Sequence, residues 1–200
     1  MDIPKNIKCV IFDMADTLAN FPVDYPSMRG DLSSFIAAYG LKSDFKPIVQ
    51  DIRSIAKNLN KKELIRDMFD IIDRYETQSV DNSTPLENTI DLYKRCITAK
   101  KKVAILTRNG DRMVKEFLKH YALPDPHLIV SRDSCVNLKP HTEQFDFLNA
   151  FFGFKNSEYM LVGDGYHDRH LAEKTGILFL DVKSRWDTQA GNHCLKPQVE

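Results

Sequence analysis

Two hundred residues suffice for one domain, or for one core with a small insert, and 42% apolar residues suffice for a sizeable core. Lys+Arg and Asp+Glu both number 28, and this zero balance argues against a nucleic-acid or anionic-membrane surface as the main partner. No apolar run approaches the length of a membrane span, the start Met1-Asp2-Ile3-Pro4-Lys5 lacks the apolar stretch of a secretion signal, and Cys9, Cys96, Cys135 and Cys194 show no C-x-x-C spacing, so a cytoplasmic protein with reduced thiols and no membrane insertion is expected.

Residues 7–13 predict the first strand. Ile7, Cys9, Val10, Ile11 and Phe12 are nearly all apolar or β-branched, as in a central parallel strand covered on both faces. Asp13 sits at its carboxyl end, the edge where open α/β sheets bind ligands. Residues 14–24 read as an irregular turn punctuated by Pro22. Three stripes at helical spacing follow: Leu32, Phe35, Ile36 and Tyr39, stopped by Gly40; Ile48, Ile52, Ile55 and Leu59; then Leu64, Ile65, Met68, Phe69, Ile72 and Tyr75. Helices with no strand between them break a strand–helix alternation, so 21–81 is read as a helical insert. Thr84 and Pro85 suit the N-cap and first position of a helix running to about Lys100, whose three lysines at 100–102 favour a helix C-terminus. The alternation then resumes, with strands at 103–107, 128–130, 159–163 and 177–181 and helices at 111–121, 141–152 and 167–175. Residues 1–20 and 82–190 are therefore expected to form a doubly wound, Rossmann-like parallel α/β sheet. The polar segment from Lys183, with Trp186, fades into 191–200, which reads as a linker consistent with a further C-terminal domain.

Four short motifs lie at or after strand ends, in this order: Asp13-Met14-Ala15-Asp16-Thr17, Thr107-Arg108-Asn109, Lys139-Pro140, and Gly163-Asp164-Gly165-Tyr166-His167-Asp168. The set resembles the four motifs of the haloacid dehalogenase (HAD) superfamily. The resemblance covers about residues 7–182 except 20–84, where such proteins often carry a helical cap. It implies a phosphohydrolase in which Asp13 is a carboxylate nucleophile forming an aspartyl-phosphate. A hydroxyl and backbone N–H groups at Thr107 would take phosphate oxygens, with Arg108 and Asn109 as adjacent donors. Lys139 would neutralise the repulsion between carboxylate and phosphate. Asp13, the Ala15 carbonyl, Asp164 and Asp168 would hold Mg²⁺, Asp168 directly, through water, or instead as a helix cap. Gly163 and Gly165 would allow a tight turn, and His167 and His170 read as surface histidines on a helix.

Ala15 departs from the pattern. Most such phosphatases carry there the Asp that protonates the leaving group; Ala15 keeps the carbonyl and loses the acid. Three readings stay open: leaving groups that need no acid, such as aryl phosphates including phosphotyrosine; a phosphonatase-type C–P hydrolase using a desolvated cap lysine; or an impaired or engineered protein that binds phosphorylated ligands. The expected partner is a phosphorylated small molecule or a phosphoprotein.

Overall fold

The computed structural model describes residues 3–186; the expectations for 191–200 and for Cys194 lie outside them. The described residues divide into two compact units, one comprising 3–20, 85–108 and 124–186, the other 21–84 and 109–123. Among the described residues, no helix is long and apolar enough to cross a membrane.

In the first unit, strand β1 (Cys9–Phe12) is wholly buried, as its apolar run requires. The short strands β2 (Ala19–Asn20) and β3 (Thr84–Pro85) bracket the helical excursion. Strands β4 (Lys102–Leu106), β5 (Leu128–Val130), β6 (Tyr159–Gly163) and β7 (Leu178–Asp181) complete a five-stranded sheet of order β5-β4-β1-β6-β7. Every pairing is parallel. Phe12 pairs with Ile105 on one side and Val162 on the other, so the strand bearing Asp13 lies in the middle of the sheet.

The helices of this unit are α4 (Glu87–Thr98), α6 (Glu143–Phe152), α7 (Tyr166–Thr175) and α8 (Val182–Trp186). On one face Cys9, Ile11, Leu106 and Leu161 pack with Phe145 and Leu148 of α6 and Leu171 of α7. On the other, Phe12 meets Tyr93 of α4 edge-on at 5.4 Å. Burying each such large apolar side chain contributes about 1.5–3 kcal/mol. The helix after Pro85 starts later than its sequence suggests. Leu86 donates its N–H to the Leu18 carbonyl at 2.9 Å, which keeps Thr84–Pro85 extended and makes Leu86, not Thr84, the N-cap of α4.

The second unit is helical: α1 (Tyr25–Ala37), α2 (Ile48–Asn58), α3 (Glu63–Gln78) and α5 (Asp111–His120). Asp24 caps α1 by accepting from the Ser27 N–H at 3.0 Å. Met28, Leu32 and Ile36 of α1, Ile52 and Ala56 of α2, and Leu64, Met68 and Ile72 of α3 share one core with Phe45. Leu32, Ile36, Ile52, Leu64, Met68 and Ile72 belong to the stripes read from spacing; Met28 and Ala56 join them, while Tyr39 is exposed. Helix α5, placed by its sequence in the strand–helix alternation, clusters with these helices, and Phe117 stacks edge-on against Phe21 at 5.5 Å.

Candidate active site

Asp13 follows β1 directly, and its N–H still joins the ladder, donating to the Val162 carbonyl at 2.9 Å. Its backbone is thus fixed by the sheet while its side chain projects from the sheet's carboxyl edge. The next residues wind into one turn: the Met14 carbonyl accepts from Thr17 and Leu18 N–H at 3.2 and 2.8 Å. That turn brings the buried Thr17 hydroxyl back to 3.5 Å from Asp13 Oδ2. Asp16 takes a left-handed φ of 57°, which an Asp tolerates better than most side chains. Ala15 is partly buried in the same turn and carries only its methyl group.

Lys139 is 4% exposed and sits between two carboxylates. Its ammonium donates to Asp13 Oδ1, to Asp168 Oδ1 at 2.7 Å and to the Leu106 carbonyl at 3.1 Å. Burial opposes charge on Lys139 and on Asp13. For Lys139 the two carboxylates outweigh burial and hold its pKa above the ordinary value. For Asp13 burial wins over Lys139, and its pKa stands above the ordinary carboxylate range. Asp168, at 2% exposure, is not a helix cap: no side chain caps α7, and one oxygen of Asp168 belongs to Lys139.

Gly163 has a role different from the one its sequence suggests. A Cβ at that position would come within 2.5 Å of Asp168 Cγ, so the missing side chain is the space Asp168 occupies. Gly165 is extended, a conformation open to any residue. Asp164 is held by Lys183 of α8, whose Nζ lies 2.6 Å from its Oδ2 and whose own pKa that bond raises. One carboxylate oxygen from each of Asp13, Asp164 and Asp168 lies within 4.8 Å of the other two. An all-oxygen set of this span suits a hard divalent cation such as Mg²⁺ and not a thiophilic metal. The described cysteines take no part: Cys9, Cys96 and Cys135 are buried, and burial pushes the Cys9 and Cys96 thiols up to about 12 and about 11.

Thr107 is fully buried after β4; its N–H donates to the Val130 carbonyl at 3.0 Å. Arg108, next along, is partly buried. Asn109 belongs to the helical unit, where its amide donates to Glu76 Oε1 at 3.0 Å while the Gly110 N–H donates to Oε2 at 3.0 Å. His167 is only partly exposed, and its Nδ1 is shielded from water without a hydrogen-bond partner; burial first, then Arg108 and Lys139, push its pKa down. His170 fits the surface reading better, with its ring 3.8 Å from that of Tyr166.

Sequence reasoning missed two residues here and a third in the helical unit. Gln144, fully buried on α6, accepts the Lys139 N–H at 2.8 Å and donates to the Thr107 carbonyl at 2.8 Å, tying two motifs together. Its signal is a polar residue directly before the core residue Phe145. Glu76 continues the four-residue spacing of Leu64, Met68 and Ile72, so a charge in a buried stripe gave it away. Lys183 has no comparable signal in its polar surroundings.

The sequence pattern of haloacid dehalogenase-like hydrolases matches residues 10–182. The chain matches no curated protein. Among solved structures it resembles one described as a predicted phosphoglycolate phosphatase from Haemophilus somnus, at 18% identity and TM-score 0.60 over 88% of this chain and 85% of that one. It also resembles CbbY from Rhodobacter sphaeroides in complex with phosphate, at 15% identity and TM-score 0.61 over 86% and 84%. A third is L-2-haloacid dehalogenase from Xanthobacter autotrophicus with chloropropionic acid covalently bound, at 18% identity and TM-score 0.56 over 88% and 77%. At these identities the likeness establishes the fold, and the pattern match over most of the chain establishes the family: the protein is a haloacid dehalogenase-like hydrolase.

Proposed function

We propose that the protein is a Mg²⁺-dependent phosphomonoester hydrolase working through an aspartyl-phosphate on Asp13. The observation that carries this reading is the buried Lys139 ammonium bridging Asp13 and Asp168 at the carboxyl edge of the sheet. A dianionic phosphate must approach an anionic nucleophile, and a cation fixed against that nucleophile lowers the repulsion. Asp13, Asp164 and the Ala15 carbonyl would hold Mg²⁺, which supplies charge neutralisation for the phosphoryl oxygens when bound. Asp168 anchors Lys139 and offers one carboxylate oxygen to the same cluster. The Thr107 hydroxyl takes a phosphoryl oxygen.

The chemistry is two displacements at phosphorus. An Asp13 oxygen attacks, a P–O bond forms, and the ester P–O bond breaks with its electron pair leaving on the alcohol oxygen. Water then attacks the phosphorus of the aspartyl-phosphate, releases inorganic phosphate and returns Asp13 as a carboxylate. Ala15 has no proton to give the departing oxygen. A phenolate, whose phenol has a pKa of about 10, departs largely unaided, whereas an aliphatic alkoxide needs an acid. Aryl phosphates, on a small molecule or as phosphotyrosine of a phosphoprotein, are therefore the favoured substrates in a cytoplasmic setting. The C–P hydrolase alternative needs a desolvated lysine in the helical unit, and Lys42, Lys46, Lys57, Lys61 and Lys62 are all exposed.

The test is a series of phosphate monoesters of graded leaving-group pKa, run with Mg²⁺ on the protein and on Ala15→Asp. General acid help is worth ~10²–10⁴ in rate. The parent should lose rate steeply as the leaving group becomes more basic, and Ala15→Asp should flatten that slope. Equal slopes refute the missing-acid reading.

A further inference from the structure

Asp181 ends β7 and lies outside the four motifs, yet it stands beside the last of them. In the parallel ladder it pairs with Gly163, the residue before Asp164. Its side chain is partly buried and both of its oxygens are engaged. Oδ2 accepts from Arg169 Nη2 at 2.5 Å, and the same guanidinium lies over the Phe179 ring at 5.2 Å. Oδ1 accepts the N–H groups of Lys183 at 3.0 Å and of Ser184 at 3.2 Å, so Asp181 caps α8. Lys183 then reaches back to Asp164 Oδ2 at 2.6 Å, while Arg169 directly follows Asp168 on α7. One carboxylate therefore fixes the backbone of Lys183 and, through Arg169, the turn of α7 that carries Asp168. This matters most for Lys183, whose side chain is 62% exposed. An exposed ion pair is weak because two flexible groups must be ordered to make it. With its backbone held by Asp181, Lys183 has only side-chain torsions left to fix.

We propose that Asp181 is a positioning residue of the metal site: it fixes Lys183, and Lys183 holds Asp164 where that carboxylate meets Asp13 and Asp168. This rests on the reading of the three aspartates as Mg²⁺ ligands. Outer partners that orient a ligand typically change metal affinity by about 10- to 100-fold, because a ligand free to rotate must be ordered whenever the ion binds. Asp181 acts along the chain of contacts through Lys183 and not on the ion directly.

The experiment is a calorimetric Mg²⁺ titration of the full chain without substrate, on the parent and on a double-mutant cycle of Asp181→Ala and Lys183→Met. Each single substitution should raise the Kd for Mg²⁺ about tenfold or more. In the Lys183→Met background Asp181→Ala should add less than about twofold, whereas independent effects would multiply to about 100-fold. Asp181→Asn keeps an oxygen for the two N–H groups of α8 and should stay within about threefold of the parent. A merely structural Asp181 would lower the Tm of the alanine variant and leave its Kd unchanged, which overturns the proposal. Multiplying effects overturn it as well, because the loss would then be that of a nearby negative charge. Tighter Mg²⁺ binding by Lys183→Met would show that the ammonium competes with the ion for Asp164, and also overturns it. Lys183 is exposed, so Lys183→Met tests the last step even if Asp181→Ala fails to fold, and an unchanged Kd in it overturns the proposal by itself. If Mg²⁺ binds but no phosphate ester is cleaved, the phosphatase reading fails and the cycle still decides the role of Asp181. A parent that binds no Mg²⁺ removes the metal assignment and this proposal together.

Discussion

Gln144→Leu should uncouple the site from its scaffold, and the size of the effect can be worked from four contacts. The leucine is close in volume and removes only the amide. The Val130 carbonyl keeps the Thr107 N–H at 3.0 Å and the Ser131 carbonyl keeps the Ser134 N–H at 3.2 Å, so both stay satisfied. The Lys139 N–H and the Thr107 carbonyl lose their partners at 2.8 Å each, inside the core. Each buried group left unsatisfied costs about 1–3 kcal/mol, and the extra apolar surface of leucine offsets about 1 kcal/mol. The net loss is about 1–5 kcal/mol of a total of about 5–15. For a chain of this size that lowers Tm by about 2–20 °C. Thermal melts and urea titrations read the stability, with the urea slope unchanged if the denatured state is unaffected. Because Thr107 and Lys139 lose a common anchor, kcat/KM for an aryl phosphate should fall as well. Gln144→Glu separates the two halves: it still accepts from Lys139 but cannot donate to Thr107, and it adds a buried charge, so it should be the worse variant. A Gln144→Leu protein that melts within about 1 °C of its parent and keeps its kcat/KM would show that the amide is not an anchor.

Gly163→Ala should displace Asp168 from Lys139, because its Cβ would fall 2.5 Å from Asp168 Cγ; a loss of about 2–4 kcal/mol in urea unfolding is expected, and a neutral variant would mean that the strand shifts freely. Asp164→Ala should raise the Mg²⁺ concentration needed for half-maximal activity by about tenfold or more, and an unchanged Mg²⁺ titration would remove Asp164 from the metal site. In the proposed mechanism Asp13 attacks only as the carboxylate, and its raised pKa should place the acidic limb of activity above the pKa of about 4 of an exposed Asp. The same shift fixes a sign for stability. A raised carboxylate pKa means that the folded state binds the proton more tightly, so this contribution is present in acid and is lost as pH rises through the folded value. Asp13→Asn should therefore be the more stable protein at neutral pH, with the gap closing on acidification. An Asn variant less stable at neutral pH would show that attraction to Lys139 outweighs burial.

The sheet was legible in the sequence because its strands are buried on both faces and so read as short apolar runs, each ending where the chemistry begins. Asp13, Lys139 and Asp168 could be named as candidates because four short motifs at or after strand ends resemble those of a known family, although their mutual contacts could not. What stayed hidden was information carried by partners distant in the chain. Thr84-Pro85 is a good local helix start, but the Leu18 carbonyl claims the Leu86 N–H and delays the helix. Gly163 looks like turn chemistry, whereas its smallness serves a side chain five residues on. Asn109 looks like a substrate donor beside Thr107, while its amide is engaged by Glu76, which lies 33 residues earlier in the chain. The grouping of 109–123 with the helical unit likewise follows from packing and not from periodicity.

The strand order has a consequence for how the chain comes off the ribosome. Strand β1 is made early, yet its two ladder partners, Lys102–Leu106 and Tyr159–Gly163, come about 90 and 150 residues later. At roughly 5–20 residues per second, translation reaches the second partner about 8–30 s after Cys9 is made. Both edges of Cys-Val-Ile-Phe are unpaired until Lys102–Leu106 is made, and one edge stays open until Tyr159–Gly163 follows, which makes it the kind of apolar segment that pairs with the wrong neighbour. A nascent chain paused before Tyr159 should therefore bind a holdase chaperone through this segment, and the nucleophile strand should gain protection from hydrogen exchange only after β6 has been released from the exit tunnel.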